Sequence, residues 1–196
     1  PTTASRPFAP DRDGFVLGEG AGVLVLESAA HAAARGVEVL AVLAGAAVTA
    51  DAYDVARPEP SGEQQERALR LALERAGIAP EELGHVNAHA TSTPAGDVVE
   101  ARVLARTVPG AAVSATKSAT GHLLGGAGGL EAVLTTMALV DGWLPPTLLP
   151  GGLDPEIVRT GLDVIGPKGR EAPRLRAAAS TSFGFGGHDA ALVLTR

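Results

Sequence analysis

The chain has 196 residues, and its 16 Lys and Arg against 22 Asp and Glu give a formal net charge of −6. Apolar residues make up 45% and charged residues 19%, which argues against a disordered chain, and the acidic balance argues against a nucleic-acid-binding protein. The absence of cysteine excludes disulfides, thiolate metal sites and a cysteine nucleophile within this chain, and no apolar run approaches the roughly 18 residues of a membrane span. The length predicts one domain, or one half of a larger one.

The first part of the chain alternates short apolar runs with helical patterns. Residues 21–27 form a nearly continuous apolar run, which is typical of a strand buried on both faces. The Ala-rich stretch 28–35 predicts a helix that stops at Gly36, and residues 38–49 predict another strand. Helical apolar spacing over residues 61–76, with capping-box spacing at its start, predicts a second helix.

The second part of the chain repeats this alternation. Its predicted strands are 84–90, 111–116, 177–183 and 190–195. A helix is predicted to begin at Thr93-Pro94, because proline suits the first helical position, and to end at Pro109-Gly110. Residues 125–140 predict a helix that is apolar almost all round and hence deeply buried, followed by an irregular crossover at 144–147. Alternating strands and helices predict an α/β sheet covered by helices.

Three of the five histidines lie at predicted strand ends, where reactive groups of α/β sheets gather. His89 precedes a polar turn that can hold an uncharged ligand, and a histidine bonded to a loop carbonyl is the alternative. His122 follows Lys117 by five residues, so an ammonium group near its imidazole would lower the histidine pKa. His188 lies in a glycine-rich stretch that suits a tight turn or a ligand-binding loop. A nucleotide-phosphate loop and a metal site do not fit the spacing, so no metal is predicted.

Four stretches together resemble the C-terminal half of elongating β-ketoacyl-[acyl carrier protein] synthases, of the thiolase superfamily. In the order and spacing of that family, they are 12–22 (RDGFVLGEGAG), 86–97 (VNAHATSTPAGD), 116–125 (TKSATGHLLG) and 182–187 (SFGFGG). The resemblance covers nearly the whole chain and implies a single domain over residues 1–196. The expected fold is the C-terminal half of a thiolase-like α/β fold, a mixed five-stranded sheet covered by helices.

The resemblance implies decarboxylative Claisen condensation of malonyl carrier protein with an acyl thioester, in fatty-acid or polyketide synthesis. It assigns His89 and His122 as the catalytic histidines that bind the malonyl thioester carbonyl and stabilise the enolate. It assigns Lys117 as the lysine that supports His122 and the charge balance of the site. Thr91 and Thr93 match residues that hydrogen-bond the amides of the phosphopantetheine arm.

Further residues follow from the same resemblance. Phe185 matches a gating phenylalanine whose backbone N–H contributes to the acyl oxyanion hole. Glu131 matches a glutamate with a structural role near the site, and the neighbouring glycines of the terminal turn are Gly184, Gly186 and Gly187. No covalently bound cofactor is expected, since the phosphopantetheine arm of acyl carrier protein is the substrate carrier.

The implied partners are an N-terminal half that carries the nucleophilic cysteine, and acyl carrier protein. A dimer or pseudodimer and a cytoplasmic location are expected, with no nucleic-acid or membrane partner. The sequence departs from the family at Ala90, where glycine is usual, at Asp189, where asparagine is usual, and at Asp54, where related chains often have histidine. The chain starts at Pro1, through removal of an initiator methionine or as a piece of a longer protein.

Two alternatives stay open at this point. One is a non-catalytic subunit, similar to a chain-length factor or a scaffold, paired with a true ketosynthase. The other is a thiolase-type enzyme that uses coenzyme A, since the pantetheine arm is common to both carriers. The presence of His89, Lys117 and His122 together favours the catalytic interpretation over the scaffold.

Overall fold

The fold is described for residues 3–196 in a computed structural model. Within these residues the helices are α1 (Ala29–Arg35), α2 (Glu63–Ala76), α3 (Pro94–Thr107), α4 (Lys117–Thr120), α5 (Ala127–Asp141) and α6 (Pro155–Arg159). The strands are β1 (Val42–Ala50), β2 (His85–Asn87), β3 (Ala112–Ser114), β4 (Trp143–Leu144), β5 (Asp163–Val164), β6 (Arg170–Glu171), β7 (Ala177–Gly184) and β8 (His188–Thr195). None of the helices in this part of the chain combines the length and apolar composition of a membrane span.

The main sheet has the strand order β1-β8-β7-β2-β3-β5. Strands β1, β8 and β7 are antiparallel neighbours, whereas β7, β2, β3 and β5 run parallel. Five of these strands were predicted from the sequence, and the two-residue β5 adds a short edge. The prediction of a mixed α/β sheet covered by helices is therefore confirmed.

Helices pack on both faces of the sheet and bury its side chains. Helices α2 and α3 cover one face, where Leu69, Leu73 and Leu104 pack in one cluster with Val86 and Val113 of β2 and β3. On the opposite face, a second cluster contains residues of α5 and of the strands, namely Ala112, Ala138, Leu139, Ala178 and Leu194. The central strands are buried on both faces, which explains their continuous apolar sequences.

The helix ends agree with the predictions in most cases. Gly36 and Gly77 end α1 and α2 in the left-handed conformation, with φ of 64° and 66°, and α3 begins at Pro94. The capping box predicted for α2 is wrong: the N-cap is Gly62, with φ of 67°, and it provides no side-chain cap. The Ser61 hydroxyl instead accepts a hydrogen bond from the backbone N–H of Glu63 at 3.2 Å.

Helix α5 is less buried than predicted. It begins at Ala127 after a 3₁₀ turn, and one side of it is buried against the sheet and carries Glu131 and Thr135. The other side is partly accessible, and Met137 is 40% exposed. The apolar composition of this side therefore does not reflect burial within the described residues.

The predicted strand at residues 21–27 is wrong. This segment belongs to no strand among residues 3–196, and the side chains of Val23 and Val25 are 82% and 84% exposed. Its backbone lies against the start of α5, since a Cβ on Gly22 would collide with the backbone of Gly129. A strand needs a neighbouring strand for its N–H and C=O groups, and no described strand runs beside this segment.

An N-terminal strap, residues 5–18, ties the loops at one end of the sheet together. The buried Asp97 carboxylate accepts hydrogen bonds from the N–H groups of Phe8, at 2.8 Å, and of Ser92, at 3.1 Å. The buried Arg12 guanidinium donates to the carbonyl of Pro94 at 2.9 Å and to Asp154 at 2.7 Å. The turn before α3 is therefore fixed from both of its sides.

Candidate active site

The carboxyl ends of two parallel strands bring the candidate residues together. His89 follows β2 and Lys117 follows the neighbouring strand β3, so both lie at the same edge of the sheet. His122 follows the short helix α4, and the turn between β7 and β8 lies at this edge as well. Side chains from all these loops, Lys117 excepted, line a cavity of about 800 Å³.

A buried ion pair lies beneath His89. The side chains of Lys117 and Glu131 are 1% and 3% exposed and form a direct salt bridge. The Lys117 ammonium also lies 3.3 Å from Nδ1 of His89. An ammonium group only donates hydrogen bonds, so Nδ1 of His89 is the acceptor and the ring proton is on Nε2.

The prediction that Lys117 supports His122 requires correction, because the hydrogen bond of Lys117 goes to His89. Lys117 is the first residue of α4, and its buried side chain extends to Glu131 on α5. His122 lies beyond Gly121, whose φ of 69° turns the chain away after the helix. Lys117 acts on His122 through its charge alone, by helping to lower the pKa of that imidazole.

Backbone groups hold His122 in place. Its N–H donates to the carbonyl of Val16 at 2.7 Å, and its carbonyl accepts from the N–H of Gly18 at 3.0 Å. Nδ1 of the ring accepts a hydrogen bond from the N–H of Leu124 at 3.2 Å. A backbone N–H only donates, so the proton of this imidazole is also on Nε2.

The two imidazoles lie edge to face in a partly apolar setting. Their ring centroids are 5.4 Å apart at an angle of 85°. Phe15 contacts His122 edge-on, with ring centroids 5.4 Å apart, and Phe183 lies 6.0 Å from His89 in the same way. Two neutral N–H donors beside one cavity can bind an oxygen atom that gains negative charge.

Burial keeps both imidazoles neutral. It lowers the pKa of His89 well below its usual value, and the charges of Lys117 and of a protonated His122 lower it further. Burial, followed by the charge of Lys117, lowers the pKa of His122 to about 4. At neutral pH each ring is therefore a hydrogen-bond donor through Nε2 without a positive charge.

Glu100 is a site residue that sequence analysis missed. Its buried carboxylate accepts hydrogen bonds from the N–H of His89 at 2.9 Å, the N–H of Ala90 at 2.6 Å and the hydroxyl of Thr181 at 2.8 Å. It thereby fixes the backbone that carries His89, where Ala90 has a φ of 23°. The signal in the sequence was an acidic residue between Val99 and Ala101, on the apolar side of the helix.

The remaining predicted residues also lie at the cavity. The hydroxyls of Thr91 and Thr93 are 3.2 Å apart, and both residues line it. Phe185 is 64% exposed in the turn between β7 and β8, with its ring 6.5 Å from that of Phe15. The glycines of this turn are Gly184, Gly186 and Gly187, of which the last two have φ of 78° and 73°. At Gly187 a Cβ would also collide with the carboxylate of Asp51.

Residues 3–196 contain no group of three or more His, Asp or Glu side chains arranged to hold a metal ion. Two carboxylates of the site, Glu100 and Glu131, are instead engaged by N–H groups, a hydroxyl and the Lys117 ammonium. The site thus offers hydrogen-bond donors and acceptors around an apolar cavity.

Comparison with known families identifies the family of this chain. The family described as "Beta-ketoacyl synthase, C-terminal domain" matches residues 40–149, and the family described as "Beta-ketoacyl synthase, N-terminal domain" matches residues 1–32. The chain therefore belongs to the β-ketoacyl synthase family, which confirms the resemblance drawn from the four sequence stretches.

Particular relatives show which part of the family protein this chain represents. It is 46% identical to the 3-oxoacyl-[acyl-carrier-protein] synthase 2 of Synechocystis sp. over 200 residues, which cover 100% of this chain and 47% of that protein. A crystal structure of a β-ketoacyl synthase from Burkholderia phymatum is 38% identical with a TM-score of 0.92, and the match covers 99% of this chain and 47% of that one.

A second solved structure is a ketosynthase bound to the hexaketide, in complex with its type II polyketide synthase acyl-carrier protein. It is 32% identical with a TM-score of 0.93, and the match covers 99% of this chain and 48% of that one. The chain spans about half the length of these relatives and corresponds to their C-terminal half.

Proposed function

We propose that this chain is the histidine-bearing half of a β-ketoacyl-acyl carrier protein synthase that catalyses decarboxylative Claisen condensation. His89 and His122 form an oxyanion hole for the thioester carbonyl oxygen of the malonyl substrate. The nucleophilic cysteine, which holds the growing acyl chain, belongs to the N-terminal half of the complete enzyme. The observation that carries this proposal is that Nδ1 of each imidazole faces a hydrogen-bond donor beside one cavity, which leaves Nε2 of each ring as the available N–H donor.

The chemistry needs such a pair of donors. When the bond between the malonyl methylene carbon and its carboxylate breaks, CO₂ leaves and its bonding electrons form an enolate. The negative charge then lies on the thioester oxygen, where two N–H donors stabilise it. The enolate carbon next attacks the acyl thioester on cysteine, a carbon–carbon bond forms, and the cysteine thiolate leaves.

The other residues of the network act through the imidazoles. Lys117 holds Nδ1 of His89 as an acceptor, and Glu131 compensates the buried charge of Lys117. Glu100 fixes the main chain at His89. A non-catalytic scaffold would have no need for buried charges arranged around His89, so the network favours an active synthase over a scaffold subunit.

The N-terminal half is proposed to cover the apolar flank of this chain. Val23, Val25 and Leu26 are 82%, 84% and 71% exposed, and together they form an unusual apolar surface. This segment lies within residues 1–32, which match the family's N-terminal domain. Its predicted burial as a strand would be realised when the strands of that half pair with it.

Acyl carrier protein is the proposed carrier, and its phosphopantetheine arm is proposed to enter the cavity. The hydroxyls of Thr91 and Thr93 lie in the cavity wall next to His89, where they suit the amide groups of such an arm. A ketosynthase relative binds an acyl-carrier protein of a type II polyketide synthase. Transfer of this property to the present chain is part of the proposal.

The test uses the assembled synthase, with this chain and its N-terminal half, and measures CO₂ release and acyl loading separately. Loss of one oxyanion donor costs about 10²–10³-fold in rate, so His89→Ala and His122→Ala should suppress CO₂ release by this factor. Acyl loading of the partner's cysteine should change little. His31→Ala, at an exposed surface position, is the matched control. Equal losses in both half-reactions that follow a lowered melting temperature would contradict the proposal.

A further inference from the structure

The cavity that contains the two histidines has a second polar region in its wall. We call this region the polar recess and define it as Asp51, Gln65, Glu100 and Asp189, all of which line the cavity. The recess combines residues of β8, of α2 and α3, and of the segment after β1. The proposed condensation chemistry uses Glu100 to fix the main chain and leaves the other three without a role.

Sheet register and hydrogen bonds bring these residues together. Asp189 pairs with Thr49 of β1 and with Phe183 of β7. The Thr49 hydroxyl donates to the carbonyl of Gln64 at 2.7 Å, which places the first turn of α2 beside the same strand pair. The N–H of Asp51 donates to the carbonyl of Gly187 at 2.9 Å. The recess is therefore a fixed part of the fold.

Two of its members have acceptor atoms without a partner. Gln65 and Asp189 are 3% and 2% exposed, and neither Oε1 of Gln65 nor Oδ2 of Asp189 has a hydrogen-bond partner within the described residues. A buried polar atom without a partner costs about 1–3 kcal/mol, so two such atoms beside one cavity indicate a missing donor.

The other two members are satisfied within the chain. Glu100 accepts three hydrogen bonds from its neighbours. Asp51 accepts hydrogen bonds from the N–H groups of Tyr53 and Glu59, each at 3.0 Å. The unmet hydrogen bonds of the recess therefore belong to Gln65 and Asp189.

The electrostatics of the recess define the chemistry of that donor. Burial, together with the charges of Asp51 and Glu100, raises the pKa of Asp189 to about 7. Asp189 thus alternates between donor and acceptor near neutral pH, whereas Oε1 of Gln65 only accepts. A metal ion does not fit, because no three carboxylates or histidines of residues 3–196 converge on one point. A neutral hydroxyl group, which can donate and accept a hydrogen bond, suits the chemistry of either side chain.

We propose that the polar recess binds a hydroxyl group of the thioester substrate, with Gln65 and Asp189 as specificity-determining residues. The inference rests on the proposed function, because the substrate must enter the cavity beside His89. Two parts of such a substrate have a hydroxyl: an acyl chain in which the carbonyl has been reduced, and the pantetheine arm itself. Both sources share the chemistry of a neutral hydroxyl, and matched probes distinguish them.

The experiment measures dissociation constants by calorimetry on the assembled synthase. The first pair of probes is 3-hydroxybutyryl-pantetheine and butyryl-pantetheine, and the second is pantetheine and its analogue without the arm hydroxyl. Within one pair, the hydroxylated probe should bind about tenfold more tightly, which corresponds to one well-placed hydrogen bond to a buried acceptor. The pair that shows the preference identifies the source of the hydroxyl.

Variants assign the preference to the recess. Gln65→Met and, independently, Asp189→Leu should reduce the ratio of the two dissociation constants to about one. Gln64→Met is the matched control, since Gln64 lies on the same helical turn but does not line the cavity, and it should keep the wild-type ratio. Equal affinity of wild type within both pairs would overturn the recess proposal while leaving the proposed function intact. Failure of every probe to bind would contradict the proposed function itself.

Discussion

The loops that carry His89 and His122 reach the same cavity by different means. His89 depends on buried charges from distant parts of the chain, with Glu100 at its backbone and Lys117 at its ring. His122 depends on backbone hydrogen bonds, two to the N-terminal strap and one within its own loop. Both arrangements give the same result, an imidazole with its proton on Nε2.

The two histidines should therefore tolerate different substitutions. A hydrogen bond between backbone groups survives most side-chain substitutions, whereas a buried charge needs its partner. Substitutions of charged residues should therefore disturb His89 and leave His122 in place. Four predictions use this contrast, in order of decreasing effect.

Lys117→Met should have the largest effect. Removal of one partner from a buried ion pair leaves the other charge uncompensated, which typically costs about 3–5 kcal/mol. The free energy of unfolding in urea should fall by this amount, and the signals of the His89 ring should shift far more than those of His122. The double variant Lys117→Met/Glu131→Leu should recover most of the stability, because it leaves no unpaired charge.

The control for this prediction is the second lysine of the chain. Lys168 is exposed, so Lys168→Met should change the free energy of unfolding by less than about 0.5 kcal/mol. Equal losses in the free energy of unfolding for Lys117→Met and Lys168→Met would show that the buried ion pair does not stabilise the fold as predicted.

Glu100→Gln should have the next largest effect. The amide group of Gln would place an NH₂ donor opposite the N–H of His89 or of Ala90, where the carboxylate now accepts. One buried donor without an acceptor costs about 1–3 kcal/mol, and the free energy of unfolding should fall accordingly. Glu63→Gln on the exposed side of α2 is the control, and an equal loss there would refute the role of Glu100.

The pH dependence of stability should separate the two histidines. A histidine whose pKa is lowered on folding stabilises the protein fully above its unfolded pKa, near 6.5, and loses this contribution as pH falls through the folded pKa. The stabilisation by His122 should be fully lost near pH 4, whereas the stabilisation by His89 should go on decreasing at still lower pH values.

Urea unfolding is measured between pH 7.5 and pH 3.5 for wild type, His122→Gln and His89→Gln. At each pH, the free energy of unfolding of wild type minus that of a variant gives the contribution of the replaced histidine. Buried carboxyl groups act in the opposite direction, because a raised pKa makes the folded state more stable as pH falls; the pKa is raised to about 7 at Asp97, Glu131 and Asp189. Their contribution is common to wild type and variant and cancels in the subtraction. Identical profiles for the two variants would show that the histidines do not differ in this way.

Ala90→Gly should have the smallest effect. The φ of 23° at Ala90 disfavours a side chain, so relief of backbone strain should offset the lost methyl group to within about 0.5 kcal/mol. Ala88→Gly in the same loop is the control, where no positive φ offsets the loss and about 1 kcal/mol should be lost. Thermal unfolding of both variants measures the difference, and a larger loss at Ala90 would be inconsistent with the strain.

The sequence predicted the parts of the fold that depend on local signals. Glycines after helices and proline at the start of α3 are local, and the predicted helix ends at Gly36, Gly77 and Pro94 agree with the structure. The position of His89 at a predicted strand end marked it as a candidate site residue, because reactive groups gather at the carboxyl ends of parallel strands. The pairing of His89 with His122 followed only from the family resemblance.

The errors came from interactions between distant residues. Residues 21–27 have the composition of a buried strand, yet composition does not reveal that no described strand of this chain pairs with them. The spacing of Lys117 and His122 suggested a pair, but the side chain of Lys117 extends through the interior to Glu131 and His89. Glu100 was missed because its partners lie on β7 and after β2.

The position of the ring proton on Nε2 of both imidazoles can be measured directly. Two-bond nitrogen–proton couplings in ¹⁵N-labelled histidine distinguish the two neutral tautomers and the charged ring, and His89→Gln and His122→Gln assign the signals. At pH 7 we expect the Nε2–H tautomer for both residues. A proton on Nδ1 of either ring, or a charged ring at this pH, would contradict it.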